Sequence, residues 1–194
     1  MIQEVEIIEA NWQGPFSWPT LEAENQLDPI PQNPGIYLFT FDYQEGYLIY
    51  IAGITRRAVP IRLKQHTRRY MNGEYNVLQT AAAQQGVRQE VWHGWGYARD
   101  HRNEFEERRA VILKAVRQQL INYRVFVADI GIQPRLLERF EAAVMNVLCE
   151  QLSPICDLPD RGMQLSSRWK FEEPVIVRNQ SDSVLYGLPK LLEI

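Results

Sequence analysis

A chain of 194 residues, 45% of them hydrophobic, suits one domain with an adequate core and is short for several. No apolar run reaches membrane-spanning length, and Met1 to Ala10 carries Glu4, Glu6 and Glu9 with no basic residue, so neither a membrane partner nor a signal or transit peptide is expected. The net charge of −3 conceals an asymmetry: Ile51 to Arg124 holds 14 Lys/Arg against 6 Asp/Glu (+8), while the remainder holds 7 against 18 (−11).

In chain order, residues 1–32 read as an arm with a strand at Val5 to Ile8, followed by a loop rich in Pro, Asn and Gln. Asn33-Pro34-Gly35 is a turn, and the β-branched and aromatic run Ile36 to Phe41 predicts a strand. Asp42 to Gly46 reads as a hairpin loop before a second strand, Tyr47 to Ala52. Pro60 suits the first turn of a helix running to about Tyr70, which Asn72-Gly73 stops. Residues 73–123 read as an insertion with a Gly- and Trp-rich segment, Trp92 to Tyr97, and a helix from Phe105 to Tyr123. Arg124 to Ile130 predicts a third strand, and Pro134 to Leu152 a further helix that Pro154 and Pro159 prevent from continuing. The tail, 159–194, reads as a C-terminal extension with one strand at Val175 to Val177.

Several residues along this pattern carry chemistry. Arg62 and His66 stand at i and i+4 and share a helix face, so both could meet one phosphate. Arginine offers a permanently charged fork and histidine a proton relay near neutral pH. With Lys64, Arg68 and Arg69 nearby, a solvated basic helix fits the same pattern. Glu141 falls on the apolar stripe Leu137, Val144 and Leu148. A carboxylate on such a stripe requires a cation, a proton or hydrogen bonds; a divalent metal and an ion pair with a buried arginine are the two readings. Tyr37 and Tyr50 lie on adjacent predicted strands, where most tyrosines are simply packed. The insertion interleaves Arg88, Arg99 and Arg102 with Trp92, Trp95, Tyr97, His93 and His101. The arginines suit nucleic-acid contacts together with Arg56 and Arg57, and the tryptophans suit packing. The histidines lack metal-ligand spacing, and the two cysteines, Cys149 and Cys156, fit a reducing cytoplasm.

Gly35-Ile36-Tyr37 followed by Tyr50-Ile51-Ala52-Gly53, then Arg62 and His66 on a helix and Glu141 on a later one, resembles the GIY-YIG nuclease superfamily over residues 33–158. The second motif has an extra alanine before its glycine, Arg62 lies about two residues late, and Asp157 stands where the family closes with asparagine. The resemblance implies Tyr37 activating water, Tyr50 orienting water or phosphate, Arg62 stabilising phosphate charge, His66 assisting proton transfer, and Glu141 holding Mg²⁺ or Mn²⁺. Asp157 becomes a candidate phosphate or metal contact.

The fold expected is α+β, a small, mainly antiparallel three-stranded sheet flanked by helices, with the insertion and a C-terminal arm. The function expected is metal-dependent hydrolysis of DNA, of restriction type or another, with RNA also compatible, by a cytoplasmic monomer or homodimer. Two other readings fit the chain: a non-catalytic nucleic-acid-binding module of the same fold, and a protein-interaction domain. Other chemistries lack their motifs: there is no Gly-x-x-x-x-Gly-Lys loop, no Gly-x-Ser-x-Gly, no zinc-deaminase signature, and no acidic-x-Lys after Pro159-Asp160.

Overall fold

The computed structural model describes residues 5–194. Its centre is a hairpin of β2 (Gly35–Tyr43) and β3 (Gly46–Thr55), reversed at Gln44-Glu45. β2 alternates as a strand buried on both faces must: Tyr37, Phe39 and Phe41 enter one core, Ile36 and Leu38 the other. β6 (Arg124–Ala128) pairs antiparallel on the other side of β2 and divides likewise, with Val125 and Val127 on the first face and Phe126 and Ala128 on the second.

Helices cover both faces. α2 (Val59–Met71) begins with Pro60 in its first turn, buries Val59, Leu63, His66 and Tyr70, and ends before Gly73, whose φ of +74° a glycine tolerates. Its apolar residues join those of α5 (Arg102–Asn122), including Phe105, Ile112 and Val116, against the Tyr37 face. α6 (Pro134–Cys149) packs Phe140, Val144, Met145 and Leu148 against the opposite face. The segment between α2 and α5 adds a separate two-stranded sheet, β4 (Val77–Leu78) with β5 (Glu90–Trp92). The same segment holds two short helices, α3 (Thr80–Ala83) and α4 (Trp95–Asp100), whereas α1 (Glu22–Asn25) precedes β2. No helix among the described residues is long and apolar enough to cross a membrane.

The small three-stranded sheet expected from sequence is overturned. The hairpin and β6 belong instead to one curled, mixed sheet of seven strands. β1 (Glu6–Phe16) pairs antiparallel with β6 and parallel with β7 (Val175–Ser181). β9 (Leu191–Glu193) adds antiparallel to β7, and β8 (Leu185–Tyr186) lies parallel to β3 at Tyr47 and Leu48. The physical reason is edge satisfaction: β6 is buried at Val125 through Ala128, so its outer backbone groups need a partner, which β1 supplies. The expected N-terminal arm and C-terminal extension therefore both contribute strands to the sheet; residues 1–4 of that arm lie outside the described residues.

Candidate active site

β8 covers the outer edge of β3 only at Tyr47 and Leu48. Farther along, the Tyr50 carbonyl accepts from the Asp160 amide at 3.0 Å, and the Ala52 amide meets Met145 Sδ at 3.1 Å. Beside this edge lies a cavity of about 770 Å³. α2 reaches it from one face of the sheet and α6 from the other, and α4 and residues 162–164 contribute to its lining. Tyr37, Arg62, His66 and Glu141 all line it.

Tyr37 is 2% exposed, and its ring lies against Gly53, its partner across the hairpin, where a Cβ would sit 2.5 Å from the ring. Its hydroxyl is 2.8 Å from His66 Nε2, and His66 Nδ1 is 3.0 Å from the Tyr75 hydroxyl, which also accepts from Arg69 Nη1 at 3.1 Å. Burial, then the charges of Arg62 and Arg69, lowers the His66 pKa from 6.5 to about 3. The imidazole is thus neutral at pH 7, with one N–H and one lone pair between two hydroxyls. Burial raises the Tyr37 phenol well above its ordinary range, against the pull of Arg62, so it keeps its proton in the free protein.

Arg62 donates from Nη1 to Gln65 at 3.3 Å, and its Nε is buried without a hydrogen-bond partner among the described residues. A buried donor left in that condition is costly unless a ligand accepts from it. Glu141 is half-buried; burial raises its pKa from 4.5 to about 7, with Arg62 pulling down and Glu138 pushing up. It has no ion pair within 4.0 Å among the described residues, so the ion pair weighed from sequence is not what holds it there. No cluster of three or more His, Cys, Asp and Glu able to hold a metal occurs among the described residues. The Ile54 backbone amide also favours the charged carboxylate, and a single carboxylate lining a cavity suits Mg²⁺, which commonly takes one carboxylate and completes its shell with waters and substrate phosphate oxygens. Glu74 also lines the cavity, but its carboxylate lies 3.7 Å from Arg69.

Other sequence candidates lie elsewhere. Tyr50 does not line the cavity; it is fully buried and donates to Asp160 Oδ2 at 3.1 Å. Asp157 is exposed, accepts from Ser153 Oγ, and is not on the cavity wall. Of the basic residues expected at nucleic acid, Arg69 and Arg99 reach the wall beside Arg62 and His66. Arg56, Arg57, Lys64 and Arg68 are exposed on α2 and the turn before it, with no ion pair among the described residues. Arg88 is committed to the fold: it donates to the Leu158 carbonyl at 2.8 Å, pairs with Glu90 at 2.6 Å and lies over the Tyr50 ring. Arg102 donates to the Asn72 carbonyl at 2.8 Å and pairs with Glu106 at 2.9 Å.

Sequence reasoning missed Tyr75, Asn76 and Asp160. Asp160, 2% exposed, accepts from Tyr50, from Asn76 Nδ2 at 3.0 Å, from Trp95 Nε1 at 3.2 Å and from the Gly162 amide at 2.8 Å. Pro159-Asp160-Arg161-Gly162 is legible as a turn, yet nothing local tells which side chains an aspartate there will gather. Trp92 packs as expected, 2% exposed with its Nε1 donating to the Gly73 carbonyl, whereas Trp95 is half-buried on the cavity wall. Compared with known proteins, the chain matches no family model, no curated protein and no solved structure.

Proposed function

We propose that this chain is a metal-dependent endonuclease that hydrolyses DNA phosphodiester bonds with a GIY-YIG-like set of residues. The observation that carries the reading is the meeting of Tyr37 from β2, Arg62 and His66 from α2 and Glu141 from α6 around one cavity. The unpartnered Arg62 Nε is suited to a phosphoryl oxygen, because an anion satisfies both its charge and its missing acceptor. Tyr37 takes a proton from the attacking water while its own hydroxyl proton passes to His66 Nε2, 2.8 Å away. Both shifts in the free protein oppose that transfer, and an anionic phosphate beside His66 favours it by stabilising the imidazolium. Glu141 would hold Mg²⁺ or Mn²⁺, which when bound supplies Lewis-acid polarisation of a phosphoryl oxygen.

Incubation with supercoiled plasmid tests this. Cleavage is expected in Mg²⁺ or Mn²⁺, with a loss of about 100-fold or more in Tyr37→Phe and in Glu141→Ala, the scale of a removed general base. Binding without cleavage in either metal overturns the hydrolase. It would leave a nucleic-acid-binding module, a role that Arg56, Arg57, Lys64 and Arg68 serve equally well. Absence of binding to any nucleic acid favours a protein-interaction domain.

A further inference from the structure

The four candidates for chemistry occupy one part of a larger recess. Tyr37 and His66 are 2% and 9% exposed, so a phosphate must come to them inside the cavity. At about 770 Å³ the space is ligand-sized and far exceeds a phosphate; pockets of about 300–1,000 Å³ take whole small organic molecules. An aromatic wall leads away from the reactive oxygen. Tyr37 meets His66 at 2.8 Å, His66 meets Tyr75 at 3.0 Å, and the Tyr75 ring centre lies 5.1 Å from that of Trp95.

Trp95 ends this wall with an unusual setting. The Asp160 carboxylate accepts from its Nε1 at 3.2 and 3.3 Å, which fixes the ring. Gly162 packs its backbone against the indole, where a Cβ would sit 2.5 Å from Nε1, and so backs the Nε1 edge of the ring. The indole is half-buried, and it lines the cavity. Arg99, exposed on the same short helix and 3.5 Å from Asp100, also lines this end of the wall.

We propose that the Trp95 end of the cavity is a nucleobase subsite, so that the substrate is a nucleotide unpaired at the point of cleavage. Its base stacks on the anchored indole while its phosphate reaches Arg62. Stacking on aromatic rings tolerates any base, and a base already single-stranded or mismatched enters such a recess most readily. This rests on the nucleic-acid reading of the cavity, though not on hydrolysis.

Binding in EDTA by fluorescence anisotropy separates the two. An oligothymidylate is compared with an oligomer of the same length whose central nucleotides are abasic. The intact protein should prefer the thymidylate by about tenfold, the scale of one base–aromatic stack. Trp95→Ala should lose most of that preference and Trp95→Phe should keep it, since phenylalanine retains a π face while losing the bond to Asp160. Trp95→Leu, which fills similar space without a π face, replaces the alanine variant if that one unfolds. Equal binding of the two oligomers, binding of neither, or a preference intact in both Trp95→Ala and Trp95→Leu overturns the subsite. Plasmid cleavage without base preference removes the subsite alone, and base preference without cleavage removes the hydrolase alone.

Discussion

Glu141 and His66 line the same cavity and are pushed by burial in opposite directions along the pH scale. The Glu141 carboxyl holds its proton more tightly folded than unfolded, so its contribution to stability is whole below about 4.5 and is lost as pH rises through about 7. His66 is kept neutral, so its contribution is whole above about 6.5 and is lost as pH falls towards about 3. The two slopes oppose each other between these limits, and the Glu141 part emerges only by comparison with a variant. Glu141→Gln should gain thermal stability relative to the intact protein as pH rises from 4.5 to 7, with no further change in the difference at lower pH. Adding Mg²⁺ at pH 8 should raise the melting temperature of the intact protein and leave the variant unchanged. Melting curves that shift in parallel at every pH would defeat the argument. Glu141 was legible because a carboxylate breaks an apolar stripe of helical period, a signal contained in one short segment. Asp160 was not, because three of its four donors, on Tyr50, Asn76 and Trp95, come from distant places in the chain.

At the scale of elements, the β2–β3 hairpin sets the position of the site. The ladder pairs Phe39 with Ile51 and Thr40 with Ile49, leaving Tyr50 as an extra residue. Such a bulge lets neighbouring side chains face the same way, and both Tyr50 and Ile51 do contact the Tyr37-side core. The strands themselves followed from β-branched and aromatic runs bounded by turn residues, but a bulge has no signature within such a run. Hence the second tyrosine was expected beside the phosphate and instead bonds Asp160. The same register sets Gly53 opposite Tyr37, with no room for a methyl group between them. Gly53→Ala should cost about 1–3 kcal/mol by overpacking, read from urea denaturation. It should also reduce cleavage about 100-fold by moving the Tyr37 hydroxyl off His66. Full activity at unchanged stability would show that the close contact is unimportant.

For the whole molecule, the finding is that segments read as peripheral are structural. β1 lies between β6 and β7, and it buries Ala10 and Trp12 in the second core. The sequence shows β1 poorly because Gly14-Pro15 interrupts it, and β7 poorly because Arg178 to Ser181 is polar. Their pairing, Glu6 with Val175 through Trp12 with Ser181, joins opposite ends of the described chain, and no local pattern announces it. Removing residues 1–16 should therefore abolish cooperative unfolding, since loss of a buried tryptophan such as Trp12 alone costs about 3–5 kcal/mol. Calorimetry and size-exclusion chromatography check this; a monomeric fragment with a sharp transition would return β1 to the status of a dispensable arm.

The parallel pairing of β1 with β7 also dictates a timetable for the nascent chain. The ribosome releases β1 first, yet the strand that covers its outer edge is not made until residue 175 and beyond. A chain stalled earlier carries a bare row of amides and carbonyls open to any other extended peptide, so maturation is necessarily late and non-local. Premature stop codons upstream of β7 should consequently yield material that aggregates or is degraded, even when every residue lining the cavity has already been translated.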